Sequence, residues 1–223
     1  MSVESKMGSV RRFLDIENEV QFLHSTILDN DHGLWVYTPP DYRCNGAPYD
    51  LLILFDGPAY IQWIPTPTIL DSLLLKGDLP PLVAVFLSSP NRFLELACYP
   101  PFIEFLAEEL MPWIHRRYHV TSNPAQTTAG GSSFGGLAAA YAGLRRPDVF
   151  GSILSQSGSF FWKPDDDEEH EWLAQQFVAS PTLPLRFYLD VGRQETWLPD
   201  EDAPTLLVAN RHMRDVLQAK GYS

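Results

Sequence analysis

A serine flanked by two glycines is the feature that most restricts how this chain can fold. Residues 131–135 read Gly-Ser-Ser-Phe-Gly, so Ser133 has glycine two positions before it and two positions after it. An apolar strand is predicted over 127–129, and a helix rich in alanine and glycine over 133–145. This pattern between a strand and a helix is typical of a sharp, strained turn in which side chains at the two flanking positions would collide. It predicts that the Ser133 hydroxyl is raised clear of a sheet, although a serine that only caps the helix would also fit.

Predicted strands and helices alternate along most of the chain. Apolar runs predict strands at 50–56, 82–87, 127–129, 150–155 and 185–191, and helices are predicted at 67–76, 102–117, 133–145, 166–178 and 202–220. Residues 19–27 and 34–38 are typical of an antiparallel pair joined by the polar turn 29–33. Such alternation predicts an α/β fold with a mostly parallel sheet and helices on both faces. No internal repeat or linker divides the 223 residues, so we expect one domain over 1–223.

Charge and cysteine content limit the partners and the compartment. The formal net charge of −12 argues against nucleic acid or an anionic membrane as a partner. The amino terminus lacks an apolar stretch of signal-peptide length, and no later segment reaches transmembrane length. Cys44 and Cys98 lie far apart, without metal-like spacing, and are expected to stay reduced. We therefore expect a cytoplasmic protein. The acidic residues 165–171 predict a solvated helix start rather than a metal site, and no metal or cofactor is expected.

Five segments of the sequence, taken in order, carry a family pattern. They are Asp56-Gly57 after a predicted strand, residues 91–96 (Asn-Arg-Phe-Leu-Glu-Leu), residues 105–121, residues 129–162 around Ser133, and residues 189–195 (Leu-Asp-Val-Gly-Arg-Gln-Glu). Together they resemble the enterochelin esterase (esterase D) family over roughly residues 33–223. The resemblance implies an α/β-hydrolase fold and a serine esterase that hydrolyses a carboxylic ester through an acyl-enzyme. It also implies a small-molecule ester substrate, siderophore-like or otherwise.

The same resemblance implies roles for the residues at the serine turn. Ser133 corresponds to the nucleophile, and the Phe134 amide directly after it corresponds to one donor of the oxyanion hole. The second donor should follow Asp56-Gly57, but that position is Pro58, which has no amide hydrogen. Either Gly57 donates instead or the oxyanion hole is weaker than in relatives, and losing one donor costs about 3 kcal/mol of transition-state stabilisation. A plain turn remains the alternative here.

An acidic residue should complete the site after the strand predicted at 185–191. Glu195 lies in the following loop and corresponds to the acidic position of the family. Asp190 is the rival, five residues earlier and within the strand. The next acidic residues, 200–202, are predicted to begin a helix, where acids suit the helix dipole.

The histidine that the resemblance implies has no natural counterpart. In this fold the order along the chain is nucleophile, acid, histidine, and only His212 lies beyond Glu195. His212 falls in a predicted helix rather than in a loop after one further strand. We therefore expect residues 1–223 to be truncated, without the C-terminal strand and helix, and Gly221 to cap the last helix before that strand. None of the other histidines is a natural base; these are His24, His32, His115, His119 and His170.

Substrate-binding residues are predicted near the edge of the sheet that carries the serine. Arg92 and Glu95 either form a structural ion pair or line the pocket and orient an anionic substrate. Tyr60 and Trp162 belong to a set of aromatic residues that either line an acyl or aryl pocket or pack in the core. The other members of this set are Trp63, Phe160 and Phe161.

Two classes of function remain open. A serine esterase is favoured by the intact Gly-x-Ser-x-Gly pattern and by Glu195. A non-catalytic α/β-hydrolase-fold protein that binds a ligand or partner through the same pocket is favoured by Pro58 and by the missing histidine. Fold alone does not decide between them.

Overall fold

A twisted sheet of seven strands organises the part of the chain that the structure, a computed structural model, describes: residues 20–199 and 202–222. The strands are β1 Gln21–Ser25, β2 Asn30–Tyr37, β3 Asp50–Phe55, β4 Leu82–Leu87, β5 Thr127–Ser132, β6 Ser152–Gln156 and β7 Arg186–Asp190. Their order across the sheet is β1-β2-β4-β3-β5-β6-β7. The first two are antiparallel to their neighbours and the other five run parallel. The predicted α/β class is confirmed.

Continuous apolar runs account for the centre of the sheet. All six side chains of β4 are buried, and most of β3 is buried as well. A strand whose two faces are both covered must be apolar at every position, which is why these runs do not alternate with polar residues. The carboxyl ends of the parallel strands meet at one edge of the sheet, so the loops that follow β3, β4, β5, β6 and β7 converge there.

Helices connect the strands. They are α1 Gly57–Gln62, α2 Thr66–Lys76, α3 Arg92–Glu95, α4 Pro100–Phe105, α5 Met111–Arg117, α6 Phe134–Arg145, α7 Trp172–Ala179 and α8 Leu206–Ala219. Between α4 and α5 lies a π-helical turn, Leu106–Leu110, where the Met111 amide donates to the Leu106 carbonyl five residues earlier. Pro112, which cannot donate to the carbonyl four residues before it, follows directly. The helix predicted over 102–117 is therefore interrupted at this turn.

Three predicted boundaries are wrong. The opening turn lies at 26–29 rather than 29–33, because Asn30 already pairs with Ser25 in the first ladder. The acidic residues 165–171 form turns before α7 rather than its start, and Glu171 has a left-handed backbone (φ 63°) that ends the turn region. The last helix begins at Leu206 rather than 202, with Thr205 as its cap; Pro204 disfavours helical geometry in the residue before it.

Small residues let α6 lie close against the sheet. Residues 135–143 of this helix are all buried. A Cβ placed on Gly143 would lie only 2.7 Å from Ile153 Cδ1 of β6, so the glycine permits this approach. The close packing fixes the start of α6, and with it the serine turn, relative to β5 and β6. Among the described residues, no helix has the combined length and apolar character needed to cross a membrane.

Candidate active site

Ser133 occupies the sharp turn between β5 and α6. Its backbone has φ 57° and ψ −119°, a conformation that residues other than glycine rarely adopt. Hydrogen bonds hold it there: its amide donates to the Gln156 carbonyl at 2.9 Å, and its carbonyl accepts from the Ser159 amide at 3.0 Å. The Ser133 side chain makes no capping hydrogen bond to the helix. A strained turn that exposes the hydroxyl therefore describes this residue better than a helix cap.

The glycines around Ser133 do not contribute equally. A Cβ on Gly131 would lie 2.7 Å from the Gly135 carbonyl carbon, so this glycine is required by the turn. A Cβ on Gly135 would meet nothing closer than Phe55 Cβ at 3.5 Å, an ordinary contact. The crowded position at the start of the helix is instead Gly136, where a Cβ would lie 2.4 Å from Ser155 Oγ. The expectation that both flanking glycines avoid a collision holds for Gly131 alone.

A cavity of about 580 Å³ lies in front of the serine. Its lining comes from the loop after β3 and α1, from the end of β4, from α3 and from the serine turn. The lining residues are Asp56, Pro58, Ala59, Tyr60, Gln62, Trp63, Ile64, Ser88, Ser89, Arg92, Ser132 and Ser133. The structure thus brings three of the predicted site residues, Ser133, Tyr60 and Arg92, to one cavity.

Arg92 is held by Asp56 at the edge of this cavity. Its Nε donates to both carboxylate oxygens of Asp56 at 2.9 Å, and its Nη2 lies 2.7 Å from Oδ2. The guanidinium also lies over the rings of Phe93 and Phe134, at 5.4 and 5.7 Å from their centroids. Asp56 itself has a left-handed backbone (φ 56°) that carries the chain from β3 into α1. The ion pair of Arg92 is therefore with Asp56 and not with Glu95.

Glu95 does not reach the cavity. It is 2 % exposed and accepts hydrogen bonds from Asn30 Nδ2 at 2.8 Å and from the Asn91 amide at 3.4 Å. His32 Nε2 lies 4.0 Å from the same carboxylate. Both alternatives predicted for Glu95, a pair with Arg92 and a place on the pocket lining, are contradicted, because partners on β2 hold its side chain in the interior. No pattern in the sequence links Glu95 to Asn30 or His32.

Tyr60 adds a neutral hydroxyl to the cavity. Its side chain is almost fully buried, and its hydroxyl donates to Gln156 Oε1 at 2.7 Å. Burial raises the pKa of the Tyr60 phenol well above its ordinary value, and the nearby carboxylates of Asp56 and Asp190 raise it further. Tyr60 therefore stays protonated at neutral pH, as a hydrogen-bond donor and not as a base.

Both candidate acids lie at the carboxyl edge of the sheet. Glu195 Oε2 accepts from Ser157 Oγ at 2.7 Å and from the Gly192 amide at 2.6 Å. Asp190 ends β7, and its carbonyl accepts from the Ser157 amide at 2.8 Å. The Glu195 side chain thus connects the loop after β7 to the loop after β6, which is the loop that contacts the serine turn.

Ser159 is a neighbour of the serine that the sequence did not indicate. Its Oγ lies 3.0 Å from Ser133 Oγ, and the residue is 1 % exposed. Among the described residues, Ser159 is the hydrogen-bond partner of the Ser133 hydroxyl. Each of the six histidines bonds elsewhere: His24 to Asp31, His32 to the Ser88 carbonyl, His115 to the Thr121 carbonyl, His119 to the Gly46 carbonyl, His170 to the Phe161 carbonyl and His212 to Glu171. Within the described ranges, Ser133 therefore has no histidine base.

The two amides predicted to form the oxyanion hole are at the starts of helices. Phe134 is the first residue of α6 and Gly57 the first residue of α1, so neither amide has an acceptor within its own helix. Pro58 follows Gly57 and lines the cavity without an amide hydrogen. Gly57 is packed against β4: a Cβ there would lie 2.5 Å from the Phe86 carbonyl carbon.

The predicted aromatic set is divided among three places. Tyr60 and Trp63 line the serine cavity, whereas Phe160 is fully buried in the core. Trp162 lies on a different cavity, with its ring edge-to-face to Trp172 at 5.9 Å between centroids. The side chains of His, Cys, Asp and Glu in the described part of the chain form no group of three that could hold a metal ion.

Comparison with known proteins agrees with this architecture. Residues 25–222 match the family described as "Putative esterase". An iron(III) enterobactin esterase of Escherichia coli is 33 % identical over 173 residues, which cover 75 % of this chain and 43 % of the relative. The iron(III) enterobactin esterase of Dickeya dadantii is 30 % identical over 209 residues, which cover 87 % of this chain and 46 % of the relative. The chain thus spans about half the length of the curated relatives it matches.

Solved structures of esterases and related hydrolases have a similar fold. The enterobactin esterase of Shigella flexneri, crystallised in the presence of enterobactin, superposes with a TM-score of 0.78 at 30 % identity, covering 90 % of this chain and 50 % of that one. An IroE-like serine hydrolase of Shewanella oneidensis superposes with a TM-score of 0.76 at 17 % identity, covering 92 % of this chain and 70 % of that one, and so shows the fold alone. The sheet is that of an α/β-hydrolase. Since the family match extends over most of the length of this chain, the chain belongs to the "Putative esterase" family.

Proposed function

We propose that this chain forms the nucleophile-bearing part of a serine esterase that hydrolyses a carboxylic ester through an acyl-enzyme. The observation that carries the proposal is the strained backbone of Ser133. It presents the hydroxyl, which makes no capping hydrogen bond to the helix, to a cavity of about 580 Å³. Strain of this kind, about 1–3 kcal/mol, persists where the surrounding structure imposes it, and it clusters at functional sites. Membership of an esterase family supports the same reaction class.

Each residue of the site has a role in the proposed reaction. Ser133 Oγ attacks the ester carbonyl carbon and gives its proton to a base, while the amides of Phe134 and Gly57 donate to the oxyanion. Collapse of this intermediate expels the alcohol, which takes the proton from the base. Water then attacks the acyl-enzyme by the same route and releases the acid and free Ser133. Tyr60 and Arg92 line the space in which the substrate lies.

Glu195 is proposed to orient the base. We infer that this base is a histidine contributed from outside residues 20–222, because every histidine within the described ranges is bonded to another partner. Ser157, which donates to Glu195, belongs to the loop that bonds the serine turn. Asp190 is the alternative acid, and its carboxylate is near enough to Tyr60 to raise the pKa of the phenol.

A siderophore-type ester is the substrate class we propose. Support comes from the relatives, which are named as iron(III) enterobactin esterases, and from solved relatives crystallised with enterobactin and with 2,3-dihydroxy-N-benzoyl-serine. In the serine cavity, Arg92 is neutralised by Asp56, so the lining offers no free cation of its own among the described residues. The part of the substrate that surrounds the ester group in this cavity is therefore expected to be uncharged. The two free cysteines, Cys44 and Cys98, favour a cytoplasmic location.

The nucleophile is tested by labelling the whole natural protein with a fluorophosphonate probe and mapping the modified peptide. We expect the label on Ser133, and no label in a Ser133→Ala variant. Ser132→Ala is the matched control, since it changes the adjacent serine and should still be labelled. Label on Ser132 would show that the turn has been assigned wrongly.

The acid is tested by a pair of isosteric substitutions. Glu195→Gln should lower kcat for p-nitrophenyl butyrate on the order of 10⁴-fold, because a carboxylate that orients the base is replaced by a neutral amide. Asp190→Asn should retain most of the activity. The reverse pattern would identify Asp190 as the acid.

A non-catalytic binding protein is the second candidate, and one observation favours it: the hydrogen bond of the Ser133 hydroxyl goes to Ser159 rather than to a histidine. The two candidates differ in the labelling experiment. A whole natural protein that binds enterobactin but neither reacts with fluorophosphonate nor hydrolyses an ester would establish the second candidate.

A further inference from the structure

A second cavity lies apart from the serine, beyond helix α3. Its volume is about 640 Å³, within the usual range of roughly 300–1,000 Å³ for small-molecule sites. Its walls come from the segment between α3 and α4, from α6 and from the region of α7. Arg92 of α3 lines the serine cavity, whereas Phe93 and Leu94 line this one. The two cavities therefore lie on either side of one short helix.

Aromatic rings form much of this lining. Trp162 and Trp172 are half-buried and stand edge-to-face, with their ring centroids 5.9 Å apart. Tyr141, which is 2 % exposed, adds a third ring 6.0 Å from Trp172. Partly accessible rings in a cavity are suited to another aromatic ring, because stacked and edge-to-face pairs add about 0.5–1.5 kcal/mol to the burial of their surface.

Among the residues that the structure describes, Arg145 on the lining has no carboxylate partner. Arg146, its neighbour in sequence, is bound to Glu108 and to Asp148 at 2.8 and 2.9 Å. Arg145 instead lies over the ring of Tyr141, at 5.9 Å from the centroid, and within the described ranges it forms no salt bridge. In a chain with a net charge of −12, such a guanidinium is a natural partner for an anion.

We propose that this second cavity binds an aryl carboxylate, with the aromatic ring against Trp162 and Trp172 and the carboxylate at Arg145. Asp165 also lies on the lining. Its carboxylate repels an anion, so it lowers the affinity for the aryl carboxylate but does not contact the ring or hold the carboxylate in the proposed site. Arginine suits this role because its planar donors match a carboxylate and remain charged at every physiological pH.

The position of the cavity connects it to the proposed substrate. Phe93 is 73 % exposed, lines the second cavity and packs edge-to-face on Phe134, the residue after the nucleophile, at 5.6 Å. An ester that carries two aryl groups can thus place its carbonyl at Ser133 and a second aryl group beyond Phe93. This connection rests on the proposed function, whereas the binding of an aryl carboxylate does not.

The test measures binding of N-benzoylglycine to the Ser133→Ala chain by isothermal titration calorimetry, up to about 10 mM ligand. N-cyclohexanecarbonylglycine has the same charge without the aromatic ring, and we expect it to bind at least about fivefold more weakly. Arg145→Gln should weaken binding of N-benzoylglycine about tenfold, because a charged hydrogen bond to the carboxylate is lost. Asp165→Asn should strengthen it about twofold. Arg211→Gln, an exposed arginine on α8, makes the same change of charge and should have no effect.

A matched pair of tryptophan substitutions locates the ligand. Trp162→Leu should abolish measurable binding, and Trp63→Leu, at an 82 % exposed residue of the serine cavity, should leave the Kd unchanged. If Trp162→Leu unfolds the protein, Arg145→Gln decides the question, because Arg145 is an exposed residue. An unchanged Kd in Arg145→Gln, a loss of binding in Trp63→Leu, or no binding to the Ser133→Ala chain would each overturn the proposal.

The outcome is separable from that of the proposed function. Binding of N-benzoylglycine by a natural protein that hydrolyses no ester would count against the esterase and leave this cavity as a site. Ester hydrolysis without binding of N-benzoylglycine would count against this cavity alone.

Discussion

The two glycines that flank Ser133 are expected to respond in opposite ways to alanine. In Gly131→Ala the new Cβ would lie 2.7 Å from the Gly135 carbonyl carbon and 2.8 Å from its Cα. Both are backbone atoms, so no change of rotamer relieves the contact and the serine turn itself must shift. In Gly135→Ala the nearest atom to the new Cβ is Phe55 Cβ at 3.5 Å, an ordinary van der Waals distance.

The size of the difference follows from these distances. Overpacking typically costs about 1–3 kcal/mol, and a contact between backbone atoms belongs at the upper end, so Gly131→Ala should lower the free energy of unfolding by about 3 kcal/mol. Gly135 lies in the first turn of α6, where alanine is the better helix former by up to about 1 kcal/mol. The two variants should therefore differ by about 3–4 kcal/mol, or roughly 6–16 °C in Tm for a chain of this length.

Urea denaturation followed by circular dichroism measures this difference, with the two variants serving as each other's controls. Each changes one glycine of the same pentapeptide by one methyl group, so composition and unfolded-state effects are nearly equal. Equal destabilisation of the two variants would refute the reasoning, because it would mean that the turn is limited by backbone angles at both glycines rather than by the contact at Gly131.

Two further predictions concern Glu109 and the two cysteines. Burial raises the pKa of Glu109, but hydrogen bonds from Ser25 and Thr26 outweigh it and bring the pKa below the ordinary 4.5, so the stabilisation is present above that pH and lost as the pH falls below it. Glu109→Gln should therefore lower the free energy of unfolding by about 1–2 kcal/mol at pH 7 and by much less at pH 3 in urea titrations, and an equal loss at both would contradict this origin. Burial also raises the pKa of the Cys98 thiol, whereas Cys44 is exposed. Iodoacetamide should thus alkylate Cys44 at least about tenfold faster in the native protein, as peptide mass spectrometry would show, and equal rates would contradict the burial of Cys98.

The parts of the fold that the sequence predicts correctly are those determined by local pattern. Buried parallel strands need apolar residues on both faces, which makes segments such as Leu82–Leu87 recognisable without any tertiary information. The serine turn is equally local, because the close approach at Gly131 lies within one pentapeptide. The starts of the last two helices are not predicted correctly. Pro204 and the left-handed backbone of Glu171 delay these starts, and neither effect is visible in the hydrophobic periodicity.

The contacts of the candidate site are the part that sequence reasoning could not supply. Asp56 and Arg92 are 36 residues apart, and their bidentate pair depends on how two loops meet at one sheet edge. Glu95 turns inward because Asn30, from a strand far away in sequence, offers it a donor. Ser159 has no signature of its own, and its contact with Ser133 arises only when the loop after β6 folds against the serine turn.

The unusual backbone of Ser133 costs stability at the position to which the proposed reaction assigns the nucleophile. Glycine adopts φ 57° with ψ −119° without penalty, whereas serine is held there by the Gln156 carbonyl and the Ser159 amide. A chain under pressure for thermal stability alone would accept glycine at position 133 and lose its hydroxyl. Serine at that position is therefore the costlier choice for folding, and its cost is offset only if the hydroxyl takes part in the proposed reaction.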